Sequence, residues 1–225
     1  LRFVLLTGVT KFSQITVFSG FNQPNDISMD SRYDAICGIT EDELYSVFGE
    51  AISEMASKLN YTVETKKAEL KKQYDGYHFS NALLDVYNPF SIINAFNKMD
   101  IDNYWYKSGT PTYLVKLLEG HHVNMQKLTS RPYESQYFVD YRADAENPLA
   151  MLYQSGYLTI KGYDRHYREY TLDYPNVEVR KGFVALMANS YLKKDESEAA
   201  YWIVNLDRML RCGELDEVRD AFTAF

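Results

Sequence analysis

Two triplets, Glu64-Thr65-Lys66 and Glu69-Leu70-Lys71, carry the Glu-x-Lys half of a metal-dependent nuclease signature. In that chemistry carboxylates hold a divalent ion and a lysine steadies the attacking hydroxide. The same stretch, "ETKKAELKKQ", also sets Glu64 against Lys67 and Glu69 against Lys72 at helical pair spacing. That favours a solvated helix face over a metal site. Phosphate chemistry has less to stand on, since neither G-x-x-x-x-G-K-[ST] nor G-x-G-x-x-G occurs. "TGVTKFS" offers Thr7, Gly8, Thr10 and Lys11 just past an apolar run, where parallel α/β sheets present ligand-contacting groups. Read from the residues alone, it is a polar surface turn. The histidines make no zinc set: His121 and His122 are adjacent, and His78 and His166 stand apart. No G-x-S-x-G elbow supports a hydrolytic triad. Cys37 and Cys212 form no C-x-x-C pair and read as reduced packing residues of a cytoplasmic protein.

One local basic set remains: Lys161, Arg165, His166, Arg168, Arg180 and Lys181, diluted by Asp164, Glu169, Asp173 and Glu178. A wing carrying Arg165 and Arg168 could contact phosphates. The net charge of -7 argues against a global nucleic-acid surface. The 20 Tyr and 12 Phe are accounted for by half-buried packing. No run approaches the ~18 apolar residues of a membrane span, and the first twenty residues do not form a signal peptide.

These residues need elements to hold them. Leu1 to Leu6 reads as a buried strand already under way, without a starting Met, so the chain is expected to be a piece of a longer protein with its left edge inside a sheet. Such an edge would favour self-association. Ala35, Ile36, Cys37 and Ile39 suggest a second strand over 33–39. Thr40 and Glu43 form a capping box opening a helix whose stripe is Leu44, Val47, Phe48, Ala51, Ile52 and Met55. Asn88-Pro89, Thr110-Pro111 and Asn147-Pro148 mark further helix starts. "YDGYHF" and "YNPFSI" place Tyr74, Tyr77, Phe79, Tyr87 and Phe90 around a tight turn or short hairpin. A helix ending near Gly156, a β-hairpin around Asp164-Arg165-His166 and a helix from about Asn176 follow. Helix, hairpin, helix over 147–192 fits a winged-helix-like unit and equally an ordinary α+β connection. The tail from Glu198 reads as a helix pair broken at Cys212-Gly213 that ends on the apolar Phe222 and Phe225.

Taken together, "FVLLTGVTKFS", "YDAICGITEDEL", "YDGYHFS", "VYNPFSIINAF", "YWYKSGTPTYLV", "MLYQSGYLTIKGYD" and "YPNVEVRKGF" resemble, in order and nearly end to end, the AAA-ATPase-like family of Bacteroidota. Its members typically carry a PD-(D/E)XK nuclease-superfamily domain at the carboxyl end. The resemblance implies a fragment that begins after Walker A and Walker B and stops before the nuclease. The implied fold is α+β and mainly α-helical. Residues 1–39 would be the last strands of a parallel ATPase core, with the sensor-1-type region. Residues 40–192 would be a helical lid with a winged-helix-like end, and 193–225 a connector towards the nuclease. Thr7, Thr10 and Lys11 would sense the nucleotide γ-phosphate. ATP and Mg²⁺ would belong to the intact protein, with no cofactor and no catalytic residue in this portion. Its partners would be the missing ATPase half and the nuclease-like domain. The alternative is a stand-alone interaction module binding DNA or protein through Lys161, Arg165, Arg168, Arg180 and Lys181.

Overall fold

The computed structural model describes residues 5, 7–8, 25–107, 125–140, 148–192 and 196–223. The fold is α+β and mainly helical. Two compact units divide at Arg180/Lys181.

In the first unit, helix α1 (Glu41–Lys58) starts where its cap dictates. Thr40 Oγ1 accepts from the Glu43 amide at 3.3 Å, and Glu43 Oε2 accepts from the Thr40 amide at 2.9 Å. Helix α2 (Val63–Tyr74) is capped by Thr62. Helix α3 (Pro89–Lys98) begins with Asn88 accepting from the Phe90 and Ser91 amides and with proline in the first turn, where its missing N–H costs nothing. The short α4 (Tyr104–Lys107) follows. These helices share one core of Leu44, Ile52, Met55, Leu70, Tyr74, Tyr87, Ile92, Ala95, Phe96 and Tyr104. Phe48 stacks on Phe96 at 5.2 Å between ring centroids. Full burial of each such apolar side chain contributes about 1.5–3 kcal/mol.

Beyond α5 (Met125–Thr129) and a 3₁₀ turn at Ser135–Tyr137, α6 (Leu149–Gln154) leads into the antiparallel hairpin of β1 (Thr159–Asp164) and β2 (Glu169–Asp173). The expected Asn147 cap lies outside the described residues; Pro148 occupies the cap position and α6 starts one residue later than expected. Gly156, with φ of 79°, ends α6. Tyr133 bridges to Tyr170, and the Phe138 ring meets Tyr153 and Tyr170 edge-on. Helix α7 (Val177–Leu192) opens on Asn176, whose Oδ1 accepts from the Val179 amide.

The unit boundary falls within α7. In the second unit α8 (Glu196–Cys212) packs against α9 (Leu215–Thr223), and Gly213, with φ of 75°, makes the break.

Four expectations fail. Residues 33–39 form no strand: a 3₁₀ turn at Ser31–Tyr33 runs into further turns, and Ile39 alone pairs, with Tyr87. Apolar letters make a strand only beside a partner ladder, and here Ile36 is 58% exposed. Leu5 is likewise exposed and in no strand, whereas the rest of the expected strand over 1–6, apart from Leu5, lies outside the described residues. Cys37 and Cys212 are exposed free thiols, not packing residues. Val47, expected in the α1 stripe, is exposed because α2 and α3 cover only the Leu44–Ile52–Met55 side. The Thr110-Pro111 helix, Phe225 and the Phe222 side chain lie outside what is described.

Candidate functional site

Thr7 is exposed in irregular backbone, and Thr10 and Lys11 lie outside the described residues. The Glu-x-Lys segments fall on α2 as ion pairs. Lys67 bonds Glu64 at 2.9 Å, while Lys66, not Lys72, pairs with Glu69. Lys66 is buried, with its ammonium 4.4 Å above the Tyr61 ring. Lys71 reaches across to Glu41 at 2.5 Å. Among the described residues, no three His, Cys, Asp or Glu side chains gather in a way that could hold a metal ion.

The basic set is split by the hairpin's own geometry. Ile160 pairs with Leu172 and Gly162 with Thr171, so Lys161 is the extra residue of a β-bulge. A bulge re-aims its side chain. Here Lys161 Nζ donates to the carbonyls of Gly76 at 2.6 Å and Pro175 at 3.0 Å. Burial lowers the Lys161 pKa from its ordinary value. It therefore ties the hairpin to the 74–80 segment and is not displayed to a ligand. Arg165 and Arg168 are exposed at the hairpin turn, where Asp164 Oδ1 accepts from the His166 and Tyr167 amides and Arg168 takes a φ of 57°. Arg180 and Lys181 are exposed on α7.

The densest gathering of ionisable groups lies elsewhere, on "YDGYHF" and the strip it pairs with. Tyr77 and Val86 exchange backbone bonds, and Ile39 and Tyr87 do the same. Between them Asp75 is buried, and neither of its carboxylate oxygens accepts a hydrogen bond; Lys71 Nζ stands 3.5 Å from Oδ2. Burial, reinforced by the Asp85 charge, raises the Asp75 pKa from its ordinary value. His78 is buried between acceptors, with Nε2 2.7 Å from Asp85 and Nδ1 2.6 Å from the Ile160 carbonyl. With both ring nitrogens engaged, His78 holds structure together and is not a free base. Glu178, at the start of α7, is fully buried. It accepts from Ser91 Oγ and the Trp105 amide, each at 2.7 Å, which fixes α3 and α4 against α7.

Beside this strip opens a cleft of about 660 Å³. Its walls are the turn at Ser31 and Asp34, the first turn of α1 with Thr40, Glu41, Asp42 and Tyr45, and the loop Ala82–Asp85. Lys71 holds Glu41 below the ordinary carboxylate value. Asp34 is only 3% exposed; its Oδ2 accepts from Ser80 Oγ at 2.6 Å, and its Oδ1 accepts nothing. The sequence reading missed Asp34, Asp75 and the cleft. The one local signal was the run of acids in "TEDE".

A mainly helical α+β chain with an acidic cleft is what fold and site define. No protein-family model matches the chain, and no solved structure does. It is 32% identical over 226 aligned residues to a protein of Azotobacter chroococcum mcd 1 described as an "Uncharacterized protein in vnfD 5'region". That alignment takes in all of this chain and 41% of the relative, so the chain spans about two fifths of the relative's length. Among the described residues, no helix is long and apolar enough to cross a membrane.

Proposed function

We propose that this chain is a non-catalytic sensor-and-lid portion of an AAA-ATPase-like protein, an ATP-dependent switch linked to a nuclease-superfamily domain. The observation that carries the reading is the ordered run of family-like segments. The capped helix from Glu41 and the helix–hairpin–helix of α6, β1, β2 and α7 agree with it, falling where that resemblance needs a lid and its winged end. ATP and Mg²⁺ belong to the intact protein. The α1 N-terminus carries Glu41, Asp42 and Glu43, and its capping box already occupies amides that a phosphate would need. The decisive experiment titrates this chain, and a longer version containing the preceding Walker segments, with a fluorescent ATP analogue and Mg²⁺. Binding by the longer chain alone, with hydrolysis altered by Lys11→Ala, is the expected result. Specific binding by the short chain would sink the reading.

A second reading rests on the exposure of Arg165 and Arg168 at the hairpin turn: an interaction module contacting nucleic-acid phosphates. It requires duplex DNA binding whose salt slope becomes shallower by about 0.9 for each arginine removed. A slope unchanged in Arg165→Ala and Arg168→Ala rejects it.

A further inference from the structure

Lys71 stands between two carboxylates that belong to different parts of the fold. Its Nζ lies 2.5 Å from Glu41 on α1, thirty positions away, and 3.5 Å from Oδ2 of Asp75 at the end of its own helix. The two acids are unequal. The Glu41 side chain is 40% exposed and so is hydrated, while Asp75 is buried and neither of its oxygens accepts a hydrogen bond. Burial raises the Asp75 pKa, and Lys71 lowers that of Glu41. Their titrations are driven apart, which opens a pH window where Glu41 is charged and Asp75 is not. The groups packed around the pair are already committed. The Gly76 amide adjoins Asp75 and favours its charge, whereas Asp85, held by His78 at 2.7 Å, opposes it. Burial keeps the Tyr87 hydroxyl neutral, and Tyr45 bonds Glu41 from α1. Lys67 pairs with Glu64, and Lys161 on β1 is engaged by the carbonyls of Gly76 and Pro175. That leaves Lys71, whose half-exposed stem has room to turn, as the cation for a charged Asp75.

We propose that Lys71 is a proton-controlled switch, bonded to Glu41 while Asp75 carries its proton and turned onto Asp75 once that proton is lost to solvent. A charge-assisted bond gains more where water is excluded, so the ammonium leaves the hydrated carboxylate for the buried one. The sign follows from the raised Asp75 value: the Glu41 contact belongs to the acid side of the Asp75 titration and the Asp75 contact to the alkaline side. The Lys71–Glu41 bond ties the first turn of α1 to α2, and Glu41 lines the cleft. A rise in pH therefore loosens that tie and leaves the Glu41 carboxylate at the cleft wall without its ammonium. The capping box of Thr40 and Glu43 is untouched, so α1 itself persists. None of this depends on the sensor-and-lid reading.

The test follows the ¹³C-labelled 225-residue protein by NMR between about pH 3 and pH 8. Through-space contacts between the Lys71 ε protons and the Glu41 γ protons should weaken as pH rises, while those from Lys71 to the Asp75 β protons strengthen. Both changes should share the midpoint of the Asp75 carboxyl carbon, which lies above 3.8. In Asp75→Asn, Lys71 should stay on Glu41 at every pH above Glu41's own midpoint. In Glu41→Gln the competing charge is gone, and Asp75 should bind its proton about threefold more weakly. Glu54→Gln, an exposed acid elsewhere on α1, should leave both curves unchanged. Asp75→Asn keeps the shape of the side chain; if circular dichroism shows it unfolded, Glu41→Gln decides alone. Lys71 contacts that stay constant while Asp75 titrates would overturn the proposal, since the coupling would then be electrostatic without movement. So would a Lys71 change that survives in Asp75→Asn, an Asp75 midpoint at or below 3.8, or one indifferent to Glu41→Gln.

Discussion

Asp75 shows how much a single buried group can ask of its surroundings. Its carboxylate accepts no hydrogen bond and has Lys71 at 3.5 Å as counter-charge, and burial raises its pKa from the ordinary 3.8. A raised folded value means the folded state holds the proton more tightly than the unfolded chain. The stability this supplies is therefore present in full below pH 3.8 and is lost as pH rises through the folded value. Asp75→Asn, which keeps the shape and removes the charge, is expected to be more stable than the parent at pH 7 by roughly 1 kcal/mol. The difference should vanish near pH 3.5. Thermal unfolding of both proteins at the two pH values checks this, and equal destabilisation at both would contradict it. Nothing in the sequence announces such a residue. Asp34, Lys66 and Asp75 are buried in the fold, and a linear pattern of polar letters reads each as a surface group.

At the scale of elements, the parts that could be read in advance are those whose cause is local. Thr40 with Glu43, Asn88 with Pro89, Asn176 and Gly213 each act within four residues, and each begins or breaks a helix where expected. Thr40→Ala removes the hydroxyl of the α1 capping box and should cost about 1 kcal/mol, read as a lowered urea midpoint with unchanged slope. Thr40→Ser should restore most of it. Elements whose cause is distant were misread. The 33–39 segment has strand-like letters but pairs only through Ile39, and Val47 keeps helical spacing yet faces solvent. The cleft was illegible for the same reason, because its walls come from residues 31–34, 40–45 and 82–85, and Ser80 bonds both Asp34 in the first and Ala82 in the last.

Taken whole, the first unit is held shut along one seam. Tyr77 bonds Gly156, His78 bonds Thr159 and Ile160, and Gly76 bonds Lys161, pairs that are 79 to 85 positions apart along the chain. Helices α1 to α3 need no such reach, since they and their core lie within residues 41–104. Closing a loop of some eighty residues carries an entropy cost of about (3/2)RT ln n before any seam contact repays it. The order of events in refolding follows from this, with helix formation early and the seam last. Trp105 reports that last step, because its indole meets the Tyr157 ring at 4.9 Å beside the seam. In a Trp202→Phe background, its fluorescence change should lag the recovery of far-ultraviolet circular dichroism. Coincident traces would mean that the eighty-residue closure belongs to the same barrier as the helices.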